Sequence, residues 1–276
     1  MGHDGRRGRS GSERPVPVLD QQPLRNPNHR GPRAFGASVT ALSTPHTHQA
    51  LVLGRTPQGE RAAVLRLWLR TEGTWSAYIP SLRSAAGGFR PAMAQPLASL
   101  ELVPARARGS LGRIQEARLN PPWRRLHDEP QLQMLVMYTS ELLRAVLYEG
   151  SANSAFFDDV HELLARWDRG EPVTYGALEA TLLVCRHLGF ELEAPESPAT
   201  EGIWPFFPAE GAWAPIGSFA SSALPPGPSQ ALARAVAGAS LDRIERNDAL
   251  DALLAYLESQ HTGWGRLKSV EILRNL

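Results

Sequence analysis

Twelve arginines fall between Arg55 and Arg125 against four acidic residues, with Trp68, Trp75, Tyr78 and Phe89 interleaved. A guanidinium fork matches phosphate, its plane stacks on bases, and aromatic rings stack on bases of any sequence. The chemistry such a mixture offers is capture of a single-stranded polyanion without sequence preference. Arg83 and Arg90 flank Ala85-Ala86-Gly87-Gly88, a loop small enough for close backbone approach, and are the leading phosphate contacts. Arg55, Arg61, Arg66, Arg106, Arg108 and Arg113 complete the candidate set, with Trp75 as its stacking ring.

Other groupings carry less. His46 and His48 could touch a metal but lack a third ligand nearby. Asp158-Asp159-Val160-His161-Glu162 gathers ionisable groups at the start of a helical pattern, where acids are favoured anyway. Cys185 is the single cysteine, so no intrachain disulfide or multi-cysteine zinc site can form. It shares an apolar stripe with Leu182 and Leu188 and reads as a buried thiol. The single lysine, Lys268, follows Leu267, so no Gly-Lys-Ser/Thr phosphate loop exists and a Walker-type ATPase is excluded. No Ser-His-Asp spacing or paired-carboxylate frame stands out. The reading is of a protein that is not an enzyme and needs no metal or cofactor.

The elements that must position these residues follow from charge and periodicity. The chain has 276 residues, 42 % of them apolar, enough for two domains. Its net charge of +1 hides a split. Residues 1–130 hold 19 arginines and 9 acids, a net +10, while residues 131–276 hold 10 cations and 19 acids, a net −9. A basic half joined to an acidic half suggests modules with different partners. Residues 1–37, rich in Gly, Arg, Pro, Asn and Ser, read as a disordered basic extension. No secretory segment or ~20-residue apolar span is visible, and a cytoplasmic protein is expected.

From Ala50 short β-like runs alternate with Gly and Pro: 50–53, 63–69, 75–79, 97–103 and 111–119. In the second, Val64 opposes Leu65, Leu67 and Leu69. Five strands in about 70 residues without a helical pattern between them predict a small barrel. After Pro121-Pro122 the period turns helical, with stripes at Leu132–Leu147, Phe156–Trp167, Leu178–Leu188 and Leu250–Leu257, and a short helix from Val270. Residues 195–228 carry eight Pro and four Gly, are expected not to be helical, and hold five large aromatics that should pack over the helices. The fold class is α+β, a five-stranded N-terminal barrel followed by a helical bundle. The expected domains are 38–125 and 126–276.

This pattern resembles the RecO family of recombination mediators. Ala50-Leu51-Val52-Leu53, Gly59-Glu60 and Thr71-Glu72-Gly73 look like the family's opening strands, and Ser81-Leu82-Arg83 sits where the family has Gly-x-Arg. Gln95-Pro96-Leu97, Ile114-Gln115-Glu116, Glu141-Leu142-Leu143, Leu188-Gly189-Phe190 and Gly265-Arg266-Leu267-Lys268-Ser269 stand in family order. Asn120-Pro121-Pro122-Trp123 is similar to the linker of the Bacteroidetes-type branch. The four-cysteine zinc site of many relatives is missing, and Glu210-Gly211-Ala212-Trp213 looks like the substitute hairpin of the zinc-free branch.

The resemblance implies an OB-fold barrel that binds single- and double-stranded DNA and anneals complementary strands, in a DNA repair and recombination mediator. It implies RecR as partner, and help in loading the recombinase onto DNA covered by single-strand-binding protein. It also implies a helical-domain groove for that protein's acidic, aromatic tail, for which Leu178, Leu182 and Arg186, with Arg144 on a neighbouring helix, are the candidates. The alternative reading is a protein-interaction scaffold with no nucleic-acid role.

Overall fold

The computed structural model describes residues 46–82, 89–105, 111–148, 150, 152–195, 204–261, 265 and 267–274. Residues Val39–Leu276 cluster as one compact unit. Arg83, Arg106, Arg108, the Ala85–Gly88 loop and the 1–37 extension lie outside the described residues.

Five strands close a barrel in the order β1-β2-β3-β5-β4. They are β1 (His48–Gln58), β2 (Ala62–Leu69), β3 (Gly73–Ile79), β4 (Ser99–Ala105) and β5 (Gly112–Leu119). All neighbours are antiparallel except β3 and β5, which pair in parallel through Ala77↔Gly112 and Tyr78↔Arg113. This is the five-stranded arrangement of OB folds. Alternation supplies the interior: Leu65, Leu67 and Leu69 of β2 face Ala77 and Ile79 of β3 and Leu100 and Leu102 of β4, all nearly or fully buried.

β2 is apolar on its other face as well, at Trp68, because the helices cover it there. Among the described residues six α-helices follow: α1 (Pro130–Val146), α2 (Ser154–Arg169), α3 (Gly176–His187), α4 (Pro226–Val236), α5 (Arg243–Gln260) and α6 (Ser269–Leu273). Leu51, Leu53, Trp68 and Leu97 of the barrel share one core with Leu126, Leu142, Phe156, Phe157 and Leu164. Trp68 meets Phe156 and Phe157 edge-on at 5.0 and 5.2 Å. Polar clips hold the same seam: Ser140 Oγ donates to the Leu53 carbonyl at 2.6 Å, and Trp123 Nε1 to the Leu97 carbonyl at 2.8 Å. Asp168 on α2 accepts the backbone N–H groups of Arg124, Arg125 and Leu126 at 2.8 to 3.1 Å, fixing the connection between barrel and bundle.

The proline-rich segment behaves as expected in its middle and differs at its end. Phe206–Phe207 and Ala212–Trp213, labelled β6 and β7, form a small hairpin over α4 and α5, with Phe206 buried against Trp213 and Tyr256. Residues 226–228, however, are the first turn of α4. Pro226 and Pro228 fit there because the first turn of a helix has no intrahelical use for their missing N–H groups.

Candidate nucleic-acid interface

The outer face of the barrel follows from register. Thr56 of β1 lies opposite Val64 of β2, Val64 opposite Tyr78 of β3, and Tyr78 beside Arg113 of β5. Val64 and Tyr78 point away from the interior, since their neighbours Leu65, Ala77 and Ile79 point in. A row thus runs around the barrel from Thr56 to an aromatic ring and an exposed guanidinium, over three strand spacings, about 14 Å. A ring beside a cation is what stacking a base and holding its phosphate require.

Arg113, Arg55, Arg61 and Arg90 are exposed, and none joins an ion pair among the described residues. Three other members of the cluster are neutralised. Arg70 pairs with Asp158, Arg118 with Glu101, and Arg125 with Glu129. Arg66 is half-buried and donates to the Leu147 carbonyl at 2.9 Å, at the C-terminal end of α1, so it helps dock the bundle. Trp75 belongs to the inner face with Leu67, its register partner. Its ring lies over Gly112 so closely that a Cβ there would come within 2.0 Å of it. The outward ring is Tyr78, which the sequence shows interleaved with the arginines but does not single out as the stacking ring. Alternation within β3 contained that signal, but the parallel partner that brings Arg113 alongside did not show.

The four residues expected to form one peptide groove are separated. Leu178 is buried and lines a cavity of about 270 Å³ between α1, α3 and α5, with Tyr175, Leu250, Arg243 and Arg246. Arg246 lies over the Tyr175 ring at 5.9 Å. Leu182 packs against the core, and exposed Arg186 pairs with Glu191 at 3.1 Å. Arg144 stands on the barrel side, in a cleft with Gly54 and Arg55. The reason is geometric. Arg144 is nine residues beyond Leu135, which lines the Leu178 cavity from α1, and that is about 13 Å along the helix axis.

Two histidines and one cysteine complete the inventory. His161 is wedged between Trp123 and Phe157 and within 3.2 Å of Ser99 Oγ, and burial holds its pKa below the ordinary histidine value. Cys185 is buried, which pushes its thiol up to about 12. Among the described residues no three His, Cys, Asp or Glu side chains converge, and no helix is long and apolar enough to cross a membrane.

No protein-family model matches the chain. Curated relatives do. The chain is 24% identical over 246 residues to the DNA repair protein RecO of Christiangramia forsetii, an alignment covering 84% of this chain and 98% of that protein. This chain is similar to RecO over most of its length. The RecO proteins of Flavobacterium psychrophilum and Flavobacterium johnsoniae align over 58% of it, at 24% and 23% identity, and 71% and 70% of their own lengths. The closed OB-type barrel followed by helices agrees with that kinship.

Proposed function

We propose that this RecO relative is a non-catalytic DNA repair mediator whose barrel binds single- and double-stranded DNA and brings complementary strands together. The observation that carries the reading is the outward pair Tyr78 and Arg113 at the β3–β5 junction, flanked by arginines without carboxylate partners. Annealing needs no nucleophile. It needs phosphate repulsion screened while bases stay free to pair, and exposed arginines on a barrel supply that. Kinship with proteins named for DNA repair supports the same reading.

On this reading the mediator works with RecR and helps load the recombinase onto DNA covered by single-strand-binding protein, in the cytoplasm at the nucleoid. The tail peptide of that protein would seat its carboxylates on Arg243 and Arg246 and its ring against Leu178 and Leu250, in the α1–α3–α5 cavity. The test is anisotropy of a labelled single strand with the whole chain at two salt concentrations. Affinity that falls steeply with salt supports the barrel site. Absence of binding at low salt favours the scaffold reading instead.

A further inference from the structure

The cleft that holds Arg144 lies between the barrel and the bundle and has a volume of about 640 Å³. Its barrel wall is Leu53, Gly54, Arg55 and the 3-10 turn at Pro91–Ala94, and its helical wall is α1 and α6. Three cations line it from three elements: Arg55 from β1, Arg144 from α1 and Lys268 at the start of α6. Arg66 borders it from β2. Among the described residues that line it, the one carboxylate is Glu141. It accepts from the Lys268 and Ser269 backbone N–H groups at 3.0 and 2.9 Å and from Ser269 Oγ at 2.6 Å. Its negative charge also acts on Arg144, but one carboxylate against Arg55, Arg144 and Lys268 leaves the lining net positive. Met137 and Ile272, about half exposed, add an apolar edge.

This cleft continues the barrel row. Thr56, the first member of the row, itself borders the cleft beside Arg55, Arg66 and Arg144. A strand laid over Arg113 and Tyr78 and followed around the barrel runs past Val64 and Thr56 into the space between Arg55, Arg144 and Lys268. Arg144 itself rests against the β1 backbone at Gly54, where a Cβ would meet its Nη1 at 3.0 Å, so this cation of α1 stands at the barrel lip.

We infer that the single-strand track is composite, running from Arg113 and Tyr78 on the barrel through the cleft to Arg144 and Lys268 of the helical part. The inference rests on the barrel reading above and extends it to residues of the half whose net charge is −9. That average misleads locally, since Arg144 and Lys268 line the cleft with Glu141 as the one carboxylate among its described lining residues. Phosphates take the cations, and a base can rest on the Met137–Ile272 edge.

The experiment measures affinity for a labelled thymidine oligomer of about 16 nucleotides across a salt series, with the whole chain. The double variant Arg144→Gln/Lys268→Gln should lower the salt slope by about 1.4, two contacts at ~0.7 each, and Arg113→Gln by about 0.7. The triple variant should lose about the sum. Arg55→Gln, at the barrel lip of the cleft, gives a second reading that leaves α1 and α6 untouched. A wild-type slope in the double variant, while Arg113→Gln still lowers it, overturns the composite track and leaves the barrel site standing. An acidic peptide ending in an aromatic residue that loses affinity in the double variant, with strand binding intact, would assign the cleft to a peptide and equally overturn it. A slope unmoved by Arg113→Gln as well sinks the barrel reading, and the cleft inference falls with it.

Discussion

Asp158 on α2 grips Arg70 at the end of β2 through two parallel hydrogen bonds of 2.6 Å each. The pair lies outside the barrel–bundle core and bridges the same two bodies. Hydrogen bonding to Arg70 holds the Asp158 carboxyl below the usual aspartate range, against a small opposing effect of burial. A depressed carboxylate contributes stability above its unfolded pKa and loses it as pH falls through the folded one. Asp158→Asn should therefore melt below the wild type at neutral pH, with the gap closing in strong acid. Both side chains are substantially exposed, so the gap should also shrink in high salt. Thermal melts at two pH values and two salt concentrations check this.

Trp68 is fully buried between β2 and α2. Trp68→Ala should cost ~3–5 kcal/mol by leaving a cavity against Phe156 and Phe157. Urea denaturation of the whole chain reads it. The companion expectation is that an isolated barrel fragment, with Leu51, Leu53 and Trp68 stripped of their cover, aggregates at concentrations where the full chain stays dispersed.

Gly112 is required by the ring above it. Gly112→Ala should lower the melting temperature because the new methyl group meets the Trp75 ring. Pairing it with Trp75→Leu should recover part of the loss. If the double variant is no better than the single, the contact is not what makes glycine necessary.

Tyr78 and Arg113 should separate stacking from phosphate capture. Tyr78→Ala should weaken single-strand binding by ~1–3 kcal/mol with little change in salt slope, whereas Arg113→Gln lowers the slope by ~0.7. A salt series on both variants distinguishes the two contributions.

His161 sets an acid limit. Burial depresses its pKa, so the folded state favours neutral imidazole. The unfolded chain takes the proton first, and stability is lost as pH falls from the unfolded value near 6.5 toward the lower folded one. His161→Gln should flatten the dependence of melting temperature on pH in that window. His261, also depressed by burial, remains in the variant, so the difference between the two proteins isolates His161.

The barrel was legible because its strands alternate: Leu65, Leu67 and Leu69 announce an interior face without any tertiary knowledge. The helical stripes at α1, α2, α3 and α5 were equally plain. Helix α4 was hidden by its own first turn, where prolines that usually break a helix instead begin one. For the site, the sequence showed which residue types were present but not which carboxylates would cancel which arginines. Arg70 and Arg118 look like Arg55 and Arg113 in the chain, and long-range pairing alone tells them apart, whereas Arg125 meets Glu129 only four residues on. Trp75 and Tyr78 are three residues apart and so fall on opposite faces, a distinction that needs the strand boundary and not just the composition. The Arg144 cleft was invisible, because its cations come from residues 55, 144 and 268.

Among the described residues, the parallel pairing of β3 and β5 closes the barrel through two residue pairs, Ala77↔Gly112 and Tyr78↔Arg113, while the other junctions pair over four or more. A ring closed by so short a seam has a built-in place to breathe, and amide exchange should begin there. The members of the second pair are the two side chains proposed to meet a bound strand, which would then act as a stitch across the opening. Ligand and seam then draw on one free energy: whatever clamps the strand slows exchange at β3 and β5, and whatever loosens the seam releases the strand.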